Sequence, residues 1–148
     1  MTEMNTRAQC LVIRQDRLLL ARHQDASESW WCLPGGGVET GEQPHEAALR
    51  ELEEECCVTG SIVRRTSHIT YSDSEAITFL VDIGGQTPRL GTDPEFLDTE
   101  QILVEVKWLR LREVPERDRA FLWAAGLLGI AAFLDEVESW ADEISYPG

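Results

Sequence analysis

The sequence predicts an α/β domain, in which one mixed β-sheet carries helices on both faces. Several segments have the composition of β-strands, and a helix with a single apolar face lies among them. The C-terminal part is apolar over a helical length, and neither an internal repeat nor a linker divides the 148 residues. One sheet between two helical layers is the simplest arrangement that buries all of these elements, so we expect a single domain over residues 1–148.

Five segments are predicted to be strands: residues 8–13, 18–22, 58–71, 76–83 and 102–109. The first two flank a turn at Gln15 and Asp16. Residues 84–99 are rich in Gly, Pro and Asp, so we expect a loop that helps to enclose a substrate.

The clearest helix is predicted over Pro44–Cys56. A proline suits the first helical turn because its missing N–H costs little there, and most of the following residues are good helix formers. At ~100° per residue, four side chains fall on one arc that must face a core. They are Ala48, Leu49, Leu52 and Cys56.

Three acids of this helix, Glu51, Glu54 and Glu55, fall on an adjacent arc at the spacings that make helix neighbours. Glu46 and Glu53 point to the far side, so the helix is not simply acidic all round. Clustered carboxylates repel one another unless a cation lies between them, and Mg²⁺ prefers such oxygen ligands together with substrate phosphates. The alternative interpretation is an ordinary solvated acidic helix.

A glycine turn precedes the helix at Gly35, Gly36 and Gly37. Glycines let the backbone approach a ligand closely and offer it amide or carbonyl groups. A glycine run alone is a weak signal, but at a fixed distance from the acid arc it predicts a site.

Residues 36–58 resemble the signature of the Nudix hydrolases. The family pattern is Gly, five residues, Glu, seven residues, Arg-Glu, an aliphatic residue, any residue, Glu-Glu, any residue, Gly and an aliphatic residue. The matching positions are Gly36, Glu42, Arg50, Glu51, Leu52, Glu54, Glu55 and Val58. The flanks are similar to the family at Trp31, Leu33, Pro34, Gly35, Gly41, Glu46, Ala47 and Ala48.

The one departure is Cys57, where the family has the glycine that closes the helix. A cysteine would cost about 1 kcal/mol if it keeps the left-handed backbone. Because this position concerns helix termination and not the ligands, we expect a small loss of stability with the chemistry intact. Cys57 is the sole mark in favour of an alternative function, a Nudix-fold module that binds a nucleotide without cleaving it.

The resemblance implies an α/β/α sandwich that uses Mg²⁺, or Mn²⁺ in its place, to cleave a phosphoanhydride bond. By the same resemblance, Glu54 and Glu55 would be the main metal ligands, joined by the backbone carbonyl of Gly35. Glu51 would contribute to the metal site and orient the catalytic water. Arg50 would hold the carboxylates in place, tied to Glu42, although a plain surface salt bridge is the alternative for that arginine.

Many family members add a carboxylate from the loop before the last strand. The candidates in this chain are Asp93, Glu95, Asp98, Glu100 and Glu105. Glu100 is the first choice because it lies eight residues before Trp108 at the end of the loop, and Glu105 is the second. The alternative is that each of these acids is only solvated.

The expected substrate is a small molecule derived from a nucleotide. The resemblance implies a nucleoside diphosphate linked to another group, and no mark of the ADP-ribose, NADH or coenzyme A enzymes is present. That favours nucleoside triphosphates and dinucleoside polyphosphates. Arg22 and Gly36 are candidates for substrate contact, and Trp30 or Tyr71 for stacking on a base. A surface cation and core aromatics are the respective alternatives.

Composition and charge limit the partners. The net charge of −14 argues against binding of nucleic acid or of an anionic membrane through a basic face, but a metal can bridge acidic protein to phosphate. The four cysteines show no paired C-x-x-C spacing, and nothing suggests a secretory signal. We therefore expect a cytoplasmic protein with reduced, packed thiols.

Residues 116–144 are predicted to form a helix. Its uncharged stretch, residues 120–134, has 15 residues and falls short of the ~20 needed to cross a bilayer. Two alternatives stay open: the apolar surface packs on the sheet, or it meets a second subunit in a homodimer. Gly126 and Gly129 would mark a bend or a close approach.

Overall fold

The computed structural model describes residues 5–92 and 102–138. Within them the chain forms eight strands: β1 Asn5–Leu11, β2 Ile13–Arg14, β3 Arg17–Gln24, β4 Ser29–Cys32, β5 Gly35–Gly37, β6 Ser61–Thr70, β7 Ser74–Asp82 and β8 Ile102–Arg110. The α-helices of the same ranges are α1 Pro44–Cys56, α2 Glu116–Ala124 and α3 Ala131–Glu138. Short 3₁₀ turns lie at Leu111–Glu113 and Leu127–Gly129.

The strands form two sheets. The first has the order β5-β1-β7-β6, with β1 parallel to β7 and the other neighbours antiparallel. In the second, β3 pairs antiparallel with β2, β4 and β8. The predicted α/β fold with a mixed sheet is confirmed, but the strands are divided between two sheets and not joined in one. The short β4 and β5 were not predicted, because a glycine run and a tryptophan pair carry no strand periodicity of their own.

Side chains of β1 and β3 reach two separate cores, because successive residues of a strand point to opposite faces. Cys10 and Leu19 join the core under α1, whereas Leu11, Leu18 and Leu20 join the core that contains the C-terminal helices. The sheets therefore lie between α1 on one side and α2 and α3 on the other. This is the α/β/α sandwich that the resemblance implied.

The prediction of one continuous C-terminal helix over residues 116–144 is wrong within the described part. The chain breaks between α2 and α3 at Gly126, whose φ of +93° is left-handed and ends the helical path. Leu122, Trp123 and Phe133 are buried inside the second core, which agrees with packing on the sheet. Within the described ranges, every helix is too short or too polar to span a membrane.

Helix α1 begins and ends where the sequence predicted. At its start, Glu46 Oε1 accepts a hydrogen bond of 3.0 Å from the backbone N–H of Gln43. At its end, Cys57 has φ 59° and ψ 35°, and its N–H donates to the carbonyl of Glu53 at 3.0 Å. The cysteine thus adopts the left-handed conformation that glycine favours at this position.

Replacement of this cysteine by glycine should stabilise the fold. The left-handed penalty for an L-residue is about 1–2 kcal/mol, and the extra chain entropy of glycine offsets about half of it, so we expect Cys57→Gly to gain about 0.5–1 kcal/mol. Urea unfolding measures this gain. Cys57→Ala is the matched control because it removes the thiol and keeps the Cβ. An equal gain from both variants would assign the effect to the thiol.

The chain after β7 packs along the C-terminal end of α1. Backbone N–H groups of Arg89, Gly91 and Thr92 donate to the carbonyls of Cys56, Glu55 and Glu54, at 2.9, 2.8 and 2.8 Å. Carbonyls of a last helical turn have no partner within their own helix, so these bonds satisfy three of them. The described part of the predicted substrate loop therefore supports the helix that carries the acids, and residues 93–99 lie outside the described residues.

Gly91 allows this close approach. A Cβ at Gly91 would lie 1.9 Å from the carbonyl oxygen of Glu54, whereas a Cβ at Gly85 would meet no atom within 4 Å. Because backbone must move to relieve the clash, we expect Gly91→Ala to cost about 1–3 kcal/mol of unfolding free energy. The control Gly85→Ala should stay within about 0.5 kcal/mol. Equal unfolding free energies for the two variants would contradict the contact.

Candidate active site

The predicted acid arc of α1 lies against β5. Glu51 and Glu55 are fully buried, while the Glu54 side chain is 30% exposed and Glu53 faces solvent. The N–H of Gly35 donates to Glu55 Oε1 at 2.7 Å. The sequence-predicted glycines and acids are therefore neighbours in the structure.

Gly36 lies directly against the Glu51 carboxylate. A Cβ at Gly36 would come within 2.4 Å of Glu51 Oε1 and 2.6 Å of its carboxyl carbon. Since Glu51 is buried, its carboxylate has little room to withdraw. Only a residue without a side chain fits at this position of β5, which keeps the carboxylate close to the backbone.

Arg50 connects the acids. Its Nε and Nη2 donate to the two carboxylate oxygens of Glu42 at 2.8 and 3.1 Å. Its Nη1 contacts Glu51 at 3.1 Å and Glu54 at 3.3 Å, and its Nη2 also donates to the Gly37 carbonyl at 3.0 Å. Arg50 therefore contacts three acids of the family pattern, Glu42, Glu51 and Glu54.

The hydrogen bonds of this network shift the pKa values of Arg50 and Glu42 in the directions that keep both side chains charged. The hydrogen bond to Glu42, followed by the Glu51 charge, raises the pKa of Arg50 above its ordinary value. The hydrogen bond from Arg50 lowers the pKa of Glu42. The pair therefore stays ionised around neutral pH.

Two buried thiols lie near the acids, and the structure gives them a packing role. Burial, and then the negative charge of Glu55, raise the pKa of both Cys10 and Cys56. The thiols therefore stay protonated at neutral pH. All four cysteines are free of disulfides.

His23 of β3 is a neighbour of the acids that sequence reasoning missed. It is buried, and its Nε2 lies 3.6 Å from Glu55 Oε2. Burial, and then the positive charge of Arg7, lower the pKa of His23 to about 4, so the ring is neutral at pH 7. It lies nearly parallel to the ring of Trp30, with centroids 6.2 Å apart.

A cleft of about 1350 Å³ opens beside this site. Two of its lining residues contact the site: the His23 Nε2 lies 3.6 Å from Glu55 Oε2, and the Gly37 carbonyl accepts a hydrogen bond from Arg50. Trp30 and Tyr71, the predicted candidates for base stacking, both line it. So does Arg7, a cation that the sequence did not single out; within the described residues it has no ion-pair partner.

Arg22 lies elsewhere. Its Nε is 3.1 Å from Glu105 Oε1, across the β3–β8 pair, and its guanidinium carbon is 5.9 Å from the centre of a Trp31 ring. Neither Arg22 nor Glu105 lines the cleft. The structure therefore does not bring Arg22 to the acids, and a phosphate contact by this residue stays a prediction. Glu100 lies outside the described residues.

The acid arc has the ligand chemistry of a divalent cation site. Within the described residues, no three acidic, histidine or cysteine side chains are grouped closely enough to hold a metal. The guanidinium of Arg50 lies between Glu51 and Glu54 at 3.1 and 3.3 Å. The donors are nevertheless all oxygens, from three carboxylates beside the backbone of β5. These residues fit a hard ion such as Mg²⁺ or Mn²⁺ in donor type.

Comparison with known proteins connects this geometry to one family. A family model described as the NUDIX domain matches residues 4–128. An RNA pyrophosphohydrolase of Zymomonas mobilis is 30% identical over 127 residues, which cover 75% of this chain and 82% of that protein. Diphosphoinositol polyphosphate phosphohydrolase 2 of Rattus norvegicus is 31% identical over 108 residues, covering 66% of this chain and 60% of that protein.

Other relatives match over a smaller share of their own length, from 24% to 40%. Among solved structures, a MutT NUDIX hydrolase of Burkholderia pseudomallei is similar with a TM-score of 0.63 at 21% identity. That match covers 81% of this chain and 96% of the solved one. A likeness at this identity shows the fold, and the function has to be argued from the site.

Proposed function

Because the chain belongs to the Nudix family, we propose that it is a Mg²⁺-dependent pyrophosphohydrolase. Its substrate would be a nucleoside diphosphate linked to another group, such as a nucleoside triphosphate or a dinucleoside polyphosphate. One observation carries the proposal: Glu51 and Glu54 contact Arg50, and Glu55 contacts the glycine strand β5, beside a cleft of about 1350 Å³.

The residues that would hold Mg²⁺ are Glu54, Glu55, Glu51 and the backbone carbonyl of Gly35. A bound Mg²⁺ supplies positive charge for the phosphate oxygens and lowers the pKa of a bound water. The support for this assignment is the oxygen donor set, in which Glu51 and Glu55 are fully buried. Ionised carboxylates present only lone pairs and no hydrogen, so their oxygens suit Mg²⁺ as ligands.

Side chains of the protein would orient the attacking water, position the catalytic carboxylate and contact the substrate. Glu51 would orient the attacking water and accept its proton, as the water oxygen bonds to phosphorus and the bridging P–O bond breaks. Arg50 would fix the carboxylate of Glu51, and Glu42 would fix Arg50 through its two hydrogen bonds. Arg7, which lines the cleft, would contact a substrate phosphate.

The test is a panel of anhydrides incubated with the purified protein and Mg²⁺, with the products separated to show which bond breaks. It includes nucleoside triphosphates, dinucleoside polyphosphates and nucleotide sugars. Since the relatives include an RNA pyrophosphohydrolase and a diphosphoinositol polyphosphate phosphohydrolase, RNA with a 5′-triphosphate and a diphosphoinositol polyphosphate belong to the panel as well. We expect release of phosphate or pyrophosphate from a nucleotide, with the bond that breaks identified by the products.

Tight binding of one nucleotide without hydrolysis of any anhydride would favour the nucleotide-binding module instead. The mark for that alternative is Cys57, which closes α1 through a backbone hydrogen bond to Glu53. Its side chain is exposed, so the substitution leaves the carboxylates in place.

We further propose that this is one domain in the cytoplasm and that it does not bind nucleic acid. The net charge of −14 opposes binding to a polyanion. The four free cysteines suit a reducing compartment.

A further inference from the structure

The last turn of α1 concentrates negative charge. Glu53, Glu54 and Glu55 follow one another there, and the turn has no basic residue. The C-terminus of a helix already bears the negative end of the helix dipole, so carboxylates at this end destabilise the helix. Arg50 offsets part of the charge from one turn earlier, through its contact with Glu54. The last turn therefore depends on further support from outside α1.

Residues 83–92, here termed the strap, supply that support. Three of its backbone N–H groups, from Arg89, Gly91 and Thr92, donate to carbonyls of the last turn of α1. Each N–H brings a positive partial charge to the negative end of the helix. Carbonyls at a helix end otherwise depend on water or on a capping group, so the strap acts as the cap of this helix.

Two of these contacts fall on the residues proposed as the main metal ligands. The N–H of Gly91 donates to the carbonyl of Glu55, and the N–H of Thr92 donates to the carbonyl of Glu54, both at 2.8 Å. A displacement of the strap would therefore displace the backbone from which both carboxylates extend.

Gln86 ties the strap to the chain on both sides of it. Its side-chain amide donates to the carbonyls of Thr59 and Ile83, at 2.6 and 2.7 Å. Its Oε1 accepts from the N–H of Thr59 at 3.0 Å. Thr59 lies just beyond α1, and Ile83 directly follows β7. One exposed side chain therefore connects the strap to the end of the helix and to the first sheet.

Arg14 of β2 holds the start of the strap from the other sheet. Its Nη2 donates to the carbonyls of Gly84 and Gln86, at 2.8 and 2.9 Å. Its guanidinium carbon lies 4.7 Å from the centre of a ring of Trp108 in β8. Stacking on the ring and bonding to two carbonyls together fix the planar guanidinium, so the start of the strap is anchored on β2 and β8.

We propose that Gln86 and Arg14 are positioning residues for the divalent cation: through the strap, they hold the last turn of α1 in the conformation in which Glu54 and Glu55 bind it. The presence of that cation rests on the function proposed above. The effect is reciprocal, because a cation that binds more tightly when the strap is in place must also stabilise the strap.

Amide hydrogen exchange, followed by NMR with and without Mg²⁺, tests the strap itself. In the metal-free protein, Gln86→Ala should speed exchange of the Gly91 and Thr92 amides at least about threefold, the change expected for the loss of one hydrogen bond. Mg²⁺ should slow exchange of the same two amides in the parent protein. Gln24→Ala is the matched control, because Gln24 is exposed at the end of β3, outside the cleft and the strap. Unchanged exchange of both amides in Gln86→Ala would overturn the proposal.

Titration with Mn²⁺, followed by electron paramagnetic resonance at a temperature where every variant is folded, tests the effect on the cation. Gln86→Ala and Arg14→Ala should each weaken Mn²⁺ binding about three- to tenfold, less than the 10- to 100-fold known for direct partners of metal ligands. Gln24→Ala should bind as the parent does.

A strap with a purely structural role would lower the unfolding free energy of these variants and leave the Mn²⁺ affinity of the folded protein unchanged, and that result would overturn the proposal alone. A parent protein that shows the predicted Mn²⁺ binding but hydrolyses no anhydride would overturn the proposed function alone. A parent protein that binds no Mn²⁺ would overturn both.

Discussion

Glu54→Gln should lower kcat for anhydride hydrolysis by at least about 10²-fold, because even the outer-shell partners of metal ligands account for 10- to 100-fold. The amide keeps the shape of the side chain and removes the negative charge that would hold the cation. The Glu54 side chain is 30% exposed, so the change leaves the core as it is. Steady-state kinetics at saturating Mg²⁺ and thermal unfolding together measure the effect.

Glu53→Gln is the matched control. The same chemical change is made one residue earlier on the same helix, at a side chain that faces solvent. Its kcat should stay close to that of the parent, because the Glu53 side chain faces solvent away from the acid arc, and its unfolding free energy should change by less than about 0.5 kcal/mol. Equal kcat values for the two variants would remove Glu54 from the site.

Arg50→Ala should lower both stability and turnover. The guanidinium donates to Glu42, Glu51, Glu54 and the Gly37 carbonyl, so its loss leaves four acceptors to be satisfied in another way. Breaking a fully buried ion pair costs about 3–5 kcal/mol, and the 24% exposure of the Arg50 side chain lowers the expected loss to about 2–3 kcal/mol. Urea unfolding gives the stability, and kcat gives the effect on positioning.

The control for this change is Arg65→Ala. Arg65 is exposed on β6, and within the described residues it has no ion-pair partner, so its removal should cost less than about 0.5 kcal/mol. If Arg50→Ala cost no more than Arg65→Ala, the arginine would not hold the carboxylates. Loss of kcat with full stability would then place Arg50 in substrate contact.

Local signals explain why α1 and the longer strands could be predicted, whereas β4, β5 and the division into two sheets could not. The bounds Pro44–Cys56 follow from a proline, good helix formers and one apolar arc, all within 13 residues. The strands β4 and β5 exist because β3 and β1 offer them partners. The sequence marked Gly126 for a bend or a close approach, and the structure has the bend there; that the helix ends at this bend depends on packing against the rest of the fold, which an apolar stretch of helical composition does not reveal.

In the candidate site, too, local spacing was predictable and contacts between distant segments were not. Helix spacing places Glu51, Glu54 and Glu55 on one side of α1, and the structure adds which two of them are buried. His23 comes to the acids through the packing of β3, which the sequence does not encode locally. Arg22 was a candidate for phosphate contact, but the β3–β8 register sets it opposite Glu105.

Whether the carboxylates of α1 act through a divalent cation is tested by the rate of anhydride hydrolysis as a function of Mg²⁺ concentration, measured on protein first freed of metal with EDTA. We expect no turnover without added metal and a saturable return of activity as Mg²⁺ is added, with the midpoint shifted to higher Mg²⁺ in Glu54→Gln. Full activity in the metal-free protein would contradict the claim that these carboxylates act through a divalent cation.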